Sequence, residues 1–261
     1  MKRRINFCFV CIFFIITVFS PYVYCQNDEI SDQIFQQLEE EYSQKETKTK
    51  IADPLEPFNR FMFKVNDVVY IVVFKPVSKV YSFVVPEGMR KSIARAFDNL
   101  KFPIRFVNCL LQGRPKAAFK ESCRFVINTV FGLFGFFPAA DGVKALKREV
   151  PPQDTGLTLA RWGAGHGFYI VLPIIGPCSL RDGIGKIGDF FLDPTTYLEP
   201  WEVRWGVKGG EKLNYASLHL KEYEDLKKSS VDPYTAFKDF YVQYRASLLK
   251  TKRDVSRKNL N

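Results

Sequence analysis

A chain of 261 residues, 46% apolar and 15% aromatic, leaves room for one domain of about two hundred residues once a leader and a polar stretch are set aside. Its formal charge of +10 fits an anionic membrane face or a solvated surface. Nucleic acid is excluded as a partner, because the chain has no zinc-finger spacing, no helix-turn-helix signature and no dense arginine block among the aromatics.

Residues 1–25 read MKRRINFCFVCIFFIITVFSPYVYC. Lys2, Arg3 and Arg4 form a positive start, residues 5–19 an apolar run, and Ser20 with Pro21 break it, which is the pattern of a secretory signal. The run is shorter than the ~18 apolar residues expected of a spanning helix, which ranks an uncleaved anchor second. Cys25 stands where a lipoprotein signal carries its lipidated cysteine, but Tyr24 replaces the small residue that precedes it there. Lipidation at Cys25 and ordinary cleavage without lipid therefore both stand. Beyond the leader only Cys109, Cys123 and Cys178 remain, an odd and widely spaced set that is no disulfide framework and has no metal-ligand spacing. A Cys109–Cys123 bridge is left open in an oxidising compartment.

Residues 26–52 are polar and charged, a tether or a frayed helix rather than core. The domain, residues 53–249, opens with DPLEPFNRFMFKVNDVVYIVVFKP. Asp53 before Pro54, with Glu56 and Pro57 behind, predicts a helix start capped by the Asp53 carboxylate and a helix running to about Phe74. Arg60, Lys64 and Asp67 repeat at helical spacing and make one narrow polar stripe, while Phe61, Met62, Val65, Val68 and Ile71 to Val73 cover the rest of the circumference. Such a helix is either buried in a core or lies in lipid with a thin wet face.

Residues 92–100 and 104–111 read as helices interrupted by Pro103, and Pro115 starts another that runs into FVINTVFGLFGFFPAA. Residues 125–140 carry no charge, yet a helix of that length covers only ~24 Å against the ~30 Å of a hydrocarbon core. It is predicted as a central core helix or as a re-entrant or in-plane membrane segment.

Residues 156–188 hold glycines at Gly163, Gly165, Gly167, Gly176, Gly183, Gly185 and Gly188 around a wholly apolar run, 168–175. That composition predicts bends, with a short apolar hairpin or arm between Gly167 and Gly176. After it, an amphipathic helix is expected from about Lys208. Asp232 and Pro233 start a last helix with Tyr234, Phe237, Tyr241, Tyr244 and Leu248 in one stripe. Residues 250–261 form a basic tail, disordered by composition. The fold class is all-α with at most a hairpin or two.

Motifs for covalent chemistry are lacking: GxSxG, HExxH and the Walker loop do not occur, and there are only two histidines, His166 and His219. Gly183 to Gly188 matches GxGxxG, but no strand alternation surrounds it, so a dinucleotide site is rejected. His166 has no nucleophile or carboxylate set beside it by motif and reads as structural. Arg181 and Asp182, next to Gly183, read as a turn clamp or as a contact for a phosphate head group.

Five segments together carry a resemblance: DPLEPFNRFMFKVND, NCLLQGRP at 108–115, FVINTVFGLFG at 125–135, LPIIGPCSLRDGIG at 172–185 and VDPY at 231–234. In this order they are similar to the MlaA (VacJ) family of Gram-negative outer-membrane proteins. The resemblance implies a ring of amphipathic helices embedded in the inner leaflet of the outer membrane, with a glycine-flanked apolar hairpin and a central amphipathic channel. It implies non-enzymatic transport of phospholipid mislocalised to the outer leaflet, with hand-over to an MlaC-like periplasmic carrier, association with trimeric porin, and no cofactor. Carried onto this chain, Gly163, Gly165, Gly167, Leu172, Pro173 and Gly176 become channel-side hairpin and hinge. Asn59, Arg60, Lys64 and Asp67 become channel-lining candidates. The alternative function is a structural outer-membrane protein that scaffolds a porin or envelope complex.

Overall fold

The computed structural model describes residues 51–148 and 151–249. The leader, Cys25, most of the tether and the tail lie outside the described residues. The first helix, α1, spans Glu56–Val69, followed by a π-helical turn over Tyr70–Phe74 and by α2, Lys75–Val84. The helix thus runs ten residues past Phe74. Pro76 offers no amide to the i→i−4 ladder, and the π-turn, in which the Lys75 amide donates back to the Tyr70 carbonyl, absorbs the fault without ending the helix. Asp53 is not the cap expected of it. The helix begins without a side-chain cap at Leu55, and the Asp53 carboxylate instead accepts from Asn59 (2.8 Å), Lys238 (3.1 Å) and the Tyr234 hydroxyl.

Past Pro86 the chain turns by 112° into α3, Glu87–Leu100, then α4, Phe102–Leu111, and α5, Pro115–Val130. Among the described residues no single helix is long and apolar enough to cross a membrane; the bent pair 56–84 with 87–100 meets that test by length and composition only. The uncharged run 125–140 is not one helix. α5 stops at Val130, and the chain folds back so that Gly135 N donates to Asn128 O (2.8 Å) and Phe137 N to Gly132 O (2.9 Å). Gly132 drives the break: a Cβ there would sit 2.2 Å from the Phe137 carbonyl oxygen. Leu133, Phe134 and Gly135 follow at positive φ. Two 3₁₀ turns, Ala139–Gly142 and Lys144–Leu146, lead away.

The second half is α6 (Thr155–Arg161), β1 (Tyr169–Leu172), β2 (Gly176–Ser179), α7 (Leu180–Leu192), a 3₁₀ turn at Pro194–Tyr197, α8 (Trp201–Leu218), α9 (Leu220–Ser229) and α10 (Pro233–Leu249). The amphipathic helix expected from Lys208 therefore begins at Trp201 and is broken at His219. The GxGxxG glycines serve helix packing: a Cβ on Gly185 would lie 2.4 Å from Gly156 N, and one on Gly188 3.0 Å from Thr155 Cγ2, so α7 crosses α6 at backbone distance. Over the described residues the fold is all-α with one two-stranded antiparallel hairpin. Cys109, Cys123 and Cys178 are free thiols, so the bridge left open between the first two is not formed.

The polarity of this domain is inverted. Among the described residues ten apolar side chains are buried, against seventeen polar or charged ones that include Arg105, Arg124, Arg181 and Arg245. Large apolar side chains meanwhile face outward, Phe83 among them at 92% exposure. A water-soluble fold buries its apolar groups and leaves charges outside; here a small apolar cluster of Tyr169, Val171 and Tyr234 sits among hydrogen-bonded polar contacts.

Candidate functional site

The hairpin is fastened to α1 by two asparagines. Asn59 and Asn66, two helical turns apart on one face, each make a two-point amide contact with the hairpin backbone. Asn59 Nδ2 donates to Tyr169 O (3.0 Å) and its Oδ1 accepts from Val171 N (2.9 Å). Asn66 Nδ2 donates to Leu172 O (2.9 Å) and its Oδ1 accepts from Ile174 N (2.8 Å). Tyr169 N donates to Ala52 O (2.9 Å), so Ala52, read above as the end of the tether, belongs to the fold. The free edge of β1 is thereby satisfied without a third strand. Opposite Val171, Pro177 has no amide to give, and the register places it where the ladder asks for none.

At the tip Ile175 N donates to Pro173 O (2.7 Å), a γ-turn that holds Ile174 at φ +64. A β-branched residue at positive φ is strained, and Ile174 and Ile175 project their side chains to the exterior. The strain is held by the Asn66 contact and concentrated at one exposed apolar point.

Beneath the hairpin lies a buried ion cluster. Ser179 caps α7 by accepting from Asp182 N (3.2 Å), and Asp182 pairs with Arg181 Nε (3.0 Å), with Arg245 (2.8 Å) and with the Tyr241 hydroxyl. Arg245 also reaches Asp154 (2.6 Å), which caps α6 through Leu157 N (2.7 Å). Burial pushes the Asp182 carboxyl up, but Arg245, Tyr241 and Arg181 outweigh it and hold it below the usual carboxylate range. Burial and the neighbouring Arg181 push the His166 imidazole down, and no carboxylate is bonded to it, so it is neutral near pH 7.

Next to this cluster opens a cavity of about 460 Å³, walled by α3, α4, α7, α8 and α10. Three groups around this interior are at once open to water and desolvated by the protein about them. Asp98 has 45% of its side chain exposed, yet burial presses its carboxyl upward, and Arg105, Arg148 and Lys101 bring it below the usual range. Tyr215, an exposed side chain, has its hydroxyl pushed up to about 12, and the exposed Lys212 has its ammonium lowered, in both cases chiefly by burial. A group that is both wet and surrounded lies in a concave part of the surface, which suits the wall of a water-filled space.

The sequence model of the MlaA lipoprotein family matches residues 51–248. The chain belongs to the MlaA lipoprotein family. It is 36% identical over 197 residues to the intermembrane phospholipid transport system lipoprotein MlaA of Haemophilus influenzae, covering 73% of this chain and 76% of that one. To the protein of the same name in Escherichia coli K12 it is 32% identical over 195 residues, covering 74% and 76%. A solved structure from work on the structural basis for maintenance of bacterial outer membrane lipid asymmetry superposes with a TM-score of 0.67 at 31% identity. That match covers 76% of this chain and all of that one.

Within this MlaA fold the residues singled out in the sequence fall into separate places. Asn59 is buried under the hairpin. Arg60 pairs with Glu56 and Asp232 (both 2.8 Å) and lies 4.4 Å over the Tyr234 ring; Asp67 holds Lys227 (2.7 Å) and the Tyr223 hydroxyl. Lys64 is exposed. Gly163, at φ +94, closes α6, with Gly163 N bonded to Ala160 O and Ala164 N to Leu159 O. Leu172, Pro173 and Gly176 form the tip. Asn66, Asp154, Arg245 and the cavity were not found from sequence, and Tyr241 was read there only as part of the apolar stripe of the last helix. The available signal was Arg245, a lone arginine inside the aromatic stripe of α10.

The three flanking glycines are not equivalent. A Cβ on Gly165 meets nothing within 4 Å, whereas Gly167 is at φ +67 and its Cβ would lie 2.9 Å from Leu180 Cβ. Gly167→Ala is expected to lower stability by about 1–2 kcal/mol, the cost of a left-handed L-residue, and Gly165→Ala to stay within about 0.5 kcal/mol of the parent. Parallel urea titrations of the two variants measure both.

Proposed function

We propose that this chain is a non-enzymatic phospholipid transporter of the outer membrane. It sits as a ring in the inner leaflet, takes phospholipid mislocalised to the outer leaflet through its amphipathic interior, and passes it to a periplasmic carrier of the MlaC type beside a trimeric porin. The inverted polarity carries the reading. Val72, Val80, Phe83 and Val84 on α1–α2, Phe131 and Phe134 after α5, and Ile187 and Phe191 on α7 give several elements an apolar exterior, while charges line the inside. Such a surface is stable against acyl chains and unstable against water. Trp201 and Trp205, one turn apart and exposed on α8, are suited to the level of the head groups. The names of the relatives, which place them in an intermembrane phospholipid transport system, agree with it.

In this mechanism the wet interior passes the head group and the apolar walls pass the acyl chains. The strained tip between Leu172 and Gly176, with Gly163, Gly165 and Gly167 at its base, is the element free to shift without repacking helices. Arg60, Lys64 and Asp67 face the wet side, and Arg181 with Asp182 holds the hairpin base. Cells lacking the gene are expected to accumulate phospholipid in the outer leaflet, and the intact gene to reverse this. Unchanged surface lipid in the deletion strain, with the protein membrane-bound beside a porin, would establish the scaffold function instead.

A further inference from the structure

The charges on the cavity wall do not balance. Its four carboxylates are all engaged: Asp98 by Arg105 (3.1 Å) and Arg148 (3.3 Å), and Asp154 by Arg245. Asp189 accepts from Thr155 N (3.0 Å) and Oγ1 (2.7 Å), and Asp193 caps Thr195 (2.9 Å) and faces Lys208 (3.8 Å). Burial also raises the Asp189 carboxyl, which weakens it as a counter-ion. On the cationic side Lys101 is matched by Glu211, and Lys208 lies on Asp193, Thr196 and the Phe190 ring. Lys186, on the wall, has neither a hydrogen bond nor an ion pair among the described residues, and neither has Lys212 nearby. Burial and then Lys186 press the Lys212 ammonium down; the anion near it, Glu211, offsets this only in part and is already paired with Lys101, so Lys186 and Lys212 repel one another without an anion of their own. Ile104, Phe190 and Leu248 supply an apolar wall to the same space.

The geometry points to a phosphate site in this cavity that prefers phospholipids of net negative head group, such as phosphatidylglycerol, over zwitterionic ones. The inference rests on the lipid-transport function proposed above. A phosphodiester placed between Lys186 and Lys212 supplies the missing anion, and about 460 Å³ lies within the ~300–1,000 Å³ of sites that enclose one compact group. A choline or ethanolamine head group brings its own cation to a wall where Lys186 stands unpaired with Lys212 close behind it, and is disfavoured for that reason. The apolar wall receives the start of the acyl chains.

The test uses full-length protein in an uncharged detergent at low salt, titrated calorimetrically with dihexanoyl phosphatidylglycerol, dihexanoyl phosphatidylcholine and inorganic phosphate. The parent is expected to bind the glycerol lipid about tenfold or more tightly than the choline lipid, the scale of one charge-assisted contact. A Lys186→Gln/Lys212→Gln double variant should lose that preference while still binding both lipids, and Lys186→Arg/Lys212→Arg should keep it; circular dichroism melts confirm that both fold. Equal binding of the two lipids by the parent would overturn the preference and leave lipid transport standing. Phosphate binding as tightly as the glycerol lipid would reassign the site to the free anion. No binding of either lipid would remove the transport function and this inference with it.

Discussion

Replacing Arg245 by methionine is expected to lower the stability of the domain by about 3 kcal/mol, the low end of the cost of breaking a buried ion pair, because Asp182 keeps Arg181 and Tyr241 but loses its strongest partner. Arg245 is 10% exposed along its side chain and ties two carboxylates, Asp154 on the cap of α6 and Asp182 on the first turn of α7. Methionine keeps much of the volume, so the loss is electrostatic rather than a cavity. Denaturant titration of the full-length protein in detergent should show a lower midpoint at an unchanged slope. The deficit should also depend on pH with a definite sign. In the parent the folded Asp182 titrates below its unfolded value, so its contribution is complete above the ordinary carboxylate range and fades as pH falls through the depressed value. In the variant burial remains and the largest attraction is gone, so Asp182 is expected to take up a proton more readily. The gap between the two proteins should therefore shrink from pH 7 towards pH 4. Asp189, which burial already raises, also loses the attraction of Arg245 in the variant, and its readier protonation there closes the gap in the same direction. Adding Asp182→Asn should recover part of the loss; a gap that is constant with pH would assign the effect to packing.

The elements that the sequence announced are those with local chemistry. Pro115 and the Asp232–Pro233 pair set helix starts through a fixed φ, and Gly167 precedes a hairpin as expected; Gly176, read as its other limit, instead opens the second strand at the tip, and the hairpin runs on to Ser179. The features missed depend on contacts between distant segments. The break after Val130 is decided by a carbonyl five residues on that comes within 2.2 Å of where a Cβ of Gly132 would be, and the π-turn by a proline that a helix of this apolarity tolerates. Arg245 looks like the polar interruption of an aromatic stripe until Asp154 and Asp182, 91 and 63 residues away, are brought to it. Patterning assumes that apolar faces point inward, and this chain turns its apolar faces outward. The stripe of Arg60, Lys64 and Asp67 was read correctly as one face of a helix, but only the tertiary structure gives Arg60 to Asp232 and Asp67 to Lys227.

The second large effect belongs to Asn59, which joins the helix to the hairpin. Asn59→Leu keeps the shape and removes the amide, leaving Tyr169 O and Val171 N unsatisfied at a site where Asn59 itself is 0% exposed. At ~1–3 kcal/mol for each buried group left unpaired, the expected loss is about 3 kcal/mol. If the contact is lost by local opening of the hairpin, the Val171 amide should exchange with solvent about a hundredfold faster, since each 1.4 kcal/mol is a factor of ten. Asn66→Leu breaks the same kind of contact at the exposed tip, where water replaces the lost partner, so only about 1 kcal/mol is expected, confined to the Ile174 amide. The two variants therefore separate anchoring from release. Asn59→Leu loosens the whole hairpin together with the Tyr169–Tyr234 core, whereas Asn66→Leu frees the strained turn at Ile174 while its base stays bonded to Ala52 and Asn59. If the tip is the moving part of the lipid path, Asn66→Leu should alter outer-leaflet phospholipid in cells at nearly parental stability. If surface lipid follows stability alone, with Asn59→Leu defective and Asn66→Leu normal, the tip is a fixed wall and the path lies entirely between the helices.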